Sequence, residues 1–197
     1  GEITLAHRGV LFLDEMPEFS RRSLEILRQP LEDKVIRISR VYGTYDFPAD
    51  FMLCAAMNPC PCGHYPDMNR CRCTPAQVMQ YLGRISQPLL DRLDLCAEVS
   101  PVDFEGMSSG RKGESTQTIR ERVICAQDIQ RERYKIEGIQ FNGELSGAQI
   151  EKYCKMEKDA RQLLKMAFQN MPFSARAYHR ILKVARTIAD MEATESI

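Results

Sequence analysis

The first clear hydrophobic signal is the run Val10-Leu11-Phe12-Leu13, which ends abruptly at Asp14-Glu15. A short, continuous apolar run bounded by charge predicts a buried strand of a parallel sheet. From Pro17 to about Asp33 the period changes, and Leu24, Leu27 and Leu31 recur at helical spacing, predicting one helix. Between Val35 and Phe47 the pattern alternates, with Ile36 and Ile38 against Arg37 and Ser39, and Tyr42-Gly43 breaks it in the middle. That combination predicts a β-hairpin. Phe51 to Ala56 is a second buried-strand pattern ending at Asn58-Pro59; short helices are expected from Pro75 to Gly83 and from Gln87 to Asp91, and a third strand from Leu95 to Val99.

Beyond Ser100 the character of the chain changes. Residues 101–114 are polar and rich in Gly and Ser, which reads as a linker. Everything after it has helical periodicity. Ile119, Val123, Ala126 and Ile129 share one face. A next helix starts at Ser146, with Gln149 completing a capping box, and carries Ile150, Cys154, Leu164, Ala167 and Phe168. The last is capped by Ser174 and aligns Tyr178, Ile181, Leu182, Ala185, Ile188 and Ala189. The fold class expected is α/β followed by all-α: an α/β part over 1–100, a linker over 101–114 and a three-helix bundle over 115–197.

Composition narrows the function classes. Lys+Arg and Asp+Glu both total 27, so net charge argues for no polyanionic partner, and nucleic-acid contact would need local patches or an assembly. The 197 residues are 44% hydrophobic and 27% charged, ordinary for a soluble protein. No apolar run approaches the roughly 20 residues that span a bilayer. Neither a secretory signal nor an initiator Met opens the chain, so a cytoplasmic protein expressed as a fragment is expected.

The chemistry concentrates where elements end. A strand that projects Asp14 and Glu15 from its carboxyl edge matches a Walker B pattern, in which the Asp holds Mg²⁺ and the Glu polarises the attacking water. A strand running into a solvated loop looks the same. Asn58, at the end of the second strand, is placed to orient a water, or simply to form a turn before Pro59. Arg92 lies in Leu89-Leu90-Asp91-Arg92-Leu93-Asp94-Leu95, either as an arginine finger reaching a neighbouring subunit or as an ion pair with Asp91 or Asp94. Arg176 falls in the first turn of the last helix, where a cation opposes the macrodipole and an anionic partner is expected.

Together, Gly9 to Glu15, Ala55 to Gly63, Leu89 to Leu95 and Ser174-Ala-Arg-Ala-Tyr-His-Arg resemble the magnesium-chelatase-like AAA+ ATPases, and within them the competence-protein-M-like branch. The resemblance covers essentially the whole chain. It implies Walker B at Asp14 and Glu15, sensor 1 at Asn58, the arginine finger at Arg92 with nearby Arg84 as the alternative, and sensor 2 at Arg176. It further implies ATP and Mg²⁺ as cofactors, a homo-oligomeric ring (a hexamer), and DNA as the substrate of a helicase or branch-migration motor. The hairpin corresponds to one that faces the central channel in related rings, where Arg37 and Arg40 would touch a threaded polymer; an ordinary sheet-edge hairpin explains them nearly as well. A magnesium-chelatase motor subunit and a non-catalytic scaffold are the rival readings. One departure is plain: no Gly-x-x-x-x-Gly-Lys-[Ser/Thr] loop occurs, so the phosphate cradle is expected upstream and this stretch alone is expected to be inactive.

Four of the eight Cys crowd into Cys60-Pro-Cys62 and Cys71-Arg-Cys73, with eight residues between the pairs. Four thiolates from one loop suit a closed tetrahedral Zn²⁺ site, although the usual ribbon spacing is Cys-x₂-Cys. His64 is a possible substitute ligand, and a set of reduced thiols is the plain alternative. His7 and His179 read as packing residues. Arg176, Arg180, Lys183 and Arg186 line the last helix with no acid among them, as a nucleotide- or DNA-facing surface or a solvated face.

Overall fold

The computed structural model describes residues 1–100, 104, 108, 110, 113–171 and 173–197, in two units, Gly1–Leu95 and Cys96–Ile197. Most of the expected linker at 101–114 lies outside the described residues.

In the first unit, α1 (Glu2–Leu5) precedes β1 (Val10–Leu13), which pairs in parallel with β4 (Met52–Ala55). Between them come a 3-10 turn (Met16–Glu18), α2 (Arg21–Ile26), α3 (Arg28–Asp33) and the antiparallel hairpin of β2 (Val35–Arg40) and β3 (Gly43–Pro48). The single helix expected over Pro17–Asp33 is therefore broken twice. Ser20 starts α2 afresh by accepting from the Ser23 amide at 3.1 Å. Pro30 has no N–H to give the Ile26 carbonyl, and its ring crowds that group, so the helix restarts around Leu27. The leucines still do what their spacing demands: Leu24 and Leu27 are buried with Met16, Ile85 and Leu89, against Leu11, Leu13, Leu31 and Phe51.

Only one face of the parallel pair joins that core. Val10 and Phe12 are each 59% exposed and Met52 67%, so neither strand is buried on both faces as its pattern predicted. The third expected strand does not form. Residues 95–99 pair with no strand among the described residues, and Leu95 and Val99 stand in solvent. A lone extended segment has no ladder to satisfy its backbone, which is why an apolar pattern alone does not make a strand. After β4 a cysteine-bearing loop leads to α4 (Pro75–Leu82) and α5 (Gln87–Leu90). The first of these starts on a capping box between Thr74 and Gln77.

The second unit is helical throughout its described residues: α6 (Thr116–Arg133), a 3-10 turn (Asn142–Glu144), α7 (Gly147–Tyr153), α8 (Lys158–Asn170) and α9 (Ala175–Met191). Four helices stand where three were expected. The helix begun by the Ser146–Gln149 capping box stops at Cys154 because the chain end crosses it there. Glu157 N donates to the Ile197 carbonyl (2.9 Å) and Ile197 N to that of Lys155 (3.0 Å). Tyr134, Leu145, Ile150, Cys154 and Leu182 form the core.

This unit also encloses a polar knot. The Asp190 side chain is fully buried and accepts from Arg133 (3.0 Å to Oδ2), Asn142 Nδ2 (2.8 Å) and Arg186 Nε (3.1 Å). Burial alone would raise its pKa, but the hydrogen bonds from Arg133 and Asn142 and the two guanidinium charges outweigh it and hold the carboxyl below its ordinary range. Arg186, 1% exposed, spends its other donors on the Thr194 and Glu195 carbonyls. It is thereby removed from the basic surface to which its place in the sequence assigned it.

A second carboxylate is titratable in a useful range. Glu137 accepts from Lys152 Nζ (2.6 Å), Tyr153 Oη (2.8 Å) and Gln149 Nε2 (3.1 Å), and these bonds pull its pKa from 4.5 down to about 2. A depressed carboxylate contributes stability that is present above its unfolded value and lost as pH falls towards the folded one. The helical unit should therefore lose stability between pH 4.5 and about 2, and Glu137→Gln should flatten that limb of the curve. Urea denaturation of both proteins across this range checks it; parallel curves would remove Glu137 from the account.

Candidate functional site

β1 and β4 run in register from Val10↔Met52 to Leu13↔Ala55. The ladder continues past the strands, with Ala56 N donating to the Leu13 carbonyl (2.9 Å) and Met16 N to the Ala56 carbonyl (3.0 Å). The two chains thus leave the sheet side by side, carrying Asp14-Glu15 on one and Asn58 on the other, all three exposed. This is the carboxyl edge of a parallel pair, where open α/β sheets place their ligands.

Glu15 is held in an unusual conformation, with φ 49° and ψ 46°. A left-handed backbone at a residue with a long side chain costs about 1–2 kcal/mol, and the bonds on either side enforce it. Asp14 Oδ1 accepts the Glu15 amide at 2.9 Å, and the next amide is fixed to Ala56. Backbone strain imposed by neighbours is a property of functional turns.

Tyr81 was not singled out by sequence reasoning, yet it joins the two turns. Its ring is 5% exposed on α4, and its hydroxyl faces the Asn58 backbone amide. Burial, then the Glu18 carboxylate, push its pKa up, while the Asn58 amide pulls the other way; the charges of Glu15 and Arg84 also reach it. The Thr74–Gln77 capping signal locates the helix, but only the fold brings its second turn to Asn58.

The two candidate finger arginines occupy different surroundings. Arg92 is 13% exposed and pairs with Glu32; it also donates to the carbonyls of Arg28 (3.1 Å) and Pro88 (2.6 Å). Its acidic partner is neither Asp91 nor Asp94. Arg84 is 48% exposed, bonded to Glu18 (2.9 Å) and the Pro17 carbonyl (3.1 Å), with its guanidinium over the Tyr81 ring. Arg92→Ala should therefore lower the stability of the first unit by about 1.5–3 kcal/mol, since it removes hydrogen bonds to a charged group and strands two carbonyls. Chemical denaturation measures this, and a change under about 0.5 kcal/mol would place Arg92 among indifferent surface residues.

On the hairpin, Arg37 is held bidentately by cross-strand Asp46 at 2.9 and 3.0 Å. Arg40 sits at the tip beside Val41 and Tyr42, which are 94% and 95% exposed. Arg176 lies exposed in the first turn of α9 and belongs to the second unit. His7 Nδ1 accepts from the Asp50 amide at 3.1 Å.

The cysteine loop closes on itself. Sulfur–sulfur separations are 3.5 Å (Cys60–Cys62), 3.8 Å (Cys60–Cys71) and 3.7 Å (Cys62–Cys71), and all four sulfurs including Cys73 lie within 4.8 Å of one another. A tetrahedral ion with bonds of roughly 2.3 Å needs edges of about 3.8 Å. His64 is not a member of the group. The backbone amides of Arg72 and His64 point at Cys62 and lower its pKa to about 6; burial, then the neighbouring sulfurs, raise that of Cys73 to about 12.

Among the described residues, no helix is long and apolar enough to cross a membrane. Residues 1–107 match the family described as magnesium chelatase, subunit ChlI, and residues 113–197 match its C-terminal counterpart. Over its full length the chain is 47% identical to the competence protein ComM of Haemophilus influenzae and 47% identical to the YifB protein of Salmonella typhimurium. It is 40% identical to a Mycobacterium tuberculosis protein. It spans 38% of the length of the first two and 39% of the third. Taken with the order of its strand ends and helix caps, these matches place the chain in the magnesium-chelatase family, in its ComM-like branch.

Proposed function

We propose that the chain is the portion of an AAA+ ATPase running from Walker B to sensor 2, and that the whole protein is a hexameric ring motor acting on DNA. The observation that carries this reading is the shared carboxyl edge, where strained Glu15 and Asn58 leave adjacent parallel strands. In this reading residues 1–100 are part of the nucleotide-binding core, 101–114 a linker and 115–197 the helical lid. Mg²⁺ would supply charge neutralisation on the phosphates, with Asp14 as its ligand. Glu15 takes the proton of the attacking water, and Asn58 orients that water. Arg176 meets the nucleotide's phosphates as sensor 2, and the finger is Arg92 or Arg84.

Two features agree with a core completed by further chain. The open face of β1 and β4 is apolar, and the 95–99 segment has a strand's sequence without a strand's partner. A P-loop strand and helix would meet both needs. The relatives are longer proteins, with room for that half. The exposed Arg40-Val41-Tyr42 tip suits contact with a threaded strand, combining a cation with an aromatic ring. The name of the Haemophilus relative supports DNA over a porphyrin-metallating partner.

The test is ATP turnover by the full-length protein with and without single-stranded or branched DNA. Turnover stimulated by DNA is expected. Turnover indifferent to DNA favours the chelatase-type motor, and no turnover removes the enzyme and leaves the scaffold.

A further inference from the structure

We infer that Cys60, Cys62, Cys71 and Cys73 hold a structural Zn²⁺ that clamps the turn carrying Asn58, making metal occupancy a condition for the geometry of the nucleotide site. The second half of this statement rests on the ATPase reading; the metal and the clamp do not.

The donor set argues for the ion. Four thiolates leave no open position for water, which marks a structural site, and the measured edges suit a single tetrahedral ion. Sulfurs this close together cannot straddle a two-iron cluster. Backbone amides complete the surroundings: Tyr65 N points at Cys60 Sγ (3.4 Å) and Gly63 N returns to the Cys60 carbonyl (3.0 Å). Amides aimed at sulfur stabilise thiolate ligands and orient them.

The clamp follows from where the loop is anchored. Cys60, two residues after Asn58, is fully buried. Gly63 folds back in the left-handed region (φ +78°), so that a Cβ there would lie 3.9 Å from the Asn58 side chain. The second cysteine pair runs straight into the Thr74 cap of α4, and that helix returns Tyr81 to the Asn58 backbone. Asn58 is therefore gripped from both ends of one loop, and the ion is the cross-link between those ends. Without it, 63–70 is an exposed segment with little to hold its two halves together.

The experiment uses the full-length protein purified under reducing conditions, analysed for metal and by hydrogen exchange before and after chelation and re-addition of ZnCl₂. About one Zn²⁺ per chain is expected, lost in Cys62→Ser and kept in Cys73→His, which still offers a ligand. Removing zinc should speed exchange across 56–66 and 71–81 by at least about tenfold and leave α9 unchanged. Failure to bind zinc with all four thiols reduced overturns the site. Stoichiometric zinc with unchanged exchange around Asn58 overturns the clamp. Turnover of ATP should fall with the metal; a zinc-loaded protein that shows the exchange effect but never hydrolyses ATP would refute the motor reading and leave the clamp standing.

Discussion

Glu15→Gln in the full-length protein is expected to slow ATP turnover by roughly 10²–10⁴-fold, the usual contribution of a positioned general base. Nucleotide affinity should change little, because the amide preserves size and hydrogen bonding and removes only the ability to accept a proton. The kinetic pattern is diagnostic: kcat and kcat/KM should fall together while KM stays in place. Asp14→Ala should behave differently. Its carboxylate is the proposed metal ligand, and its Oδ1 also fixes the Glu15 amide, so Mg²⁺-dependent binding and the strained turn are both lost. A Glu15→Gln protein that keeps more than about a tenth of wild-type turnover would remove Glu15 from the reaction.

Asp190→Ala is expected to destabilise the helical unit by about 3–5 kcal/mol, since it leaves Arg133 and Arg186 facing each other without their common anion. Of the two cations, Arg186 is 1% exposed and Arg133 20%, so water cannot replace the carboxylate at the inner one. Domains of this size have roughly 5–15 kcal/mol in all, so the variant should melt far below the parent. Asp190→Asn should fall between them, keeping an acceptor but not the charge. Denaturant midpoints at constant m-value measure the loss, and a deficit below about 1 kcal/mol would mean that the knot contributes little.

What the sequence disclosed and what it withheld divide by range. The first strand, the hairpin with its Tyr42-Gly43 turn and the caps at Ser146 and Ser174 depend on residues a few positions apart, and they stand where local pattern put them. The break at Leu27 was also local, since Pro30 is visible in the sequence, but the leucine period masked it. By contrast, the break after Cys154 depends on backbone arriving from Ile197, and no pattern near Cys154 announces it. Arg186 looked like one of four surface cations because its partner Arg133 and the enclosing carbonyls are brought in by folding. At the candidate site the strand-end residues were legible as chemistry. Tyr81 and the Arg92–Glu32 pair were not, because both link elements far apart in the chain.

The left-handed turn at Glu15 sets stability and activity against each other at a single residue. Glycine is at ease in that conformation and asparagine tolerates it, whereas glutamate is not suited to it. A directed-evolution campaign scored only on heat resistance would therefore be drawn to Gly or Asn at position 15, and its best-scoring variants there would be sturdier proteins without the proton acceptor.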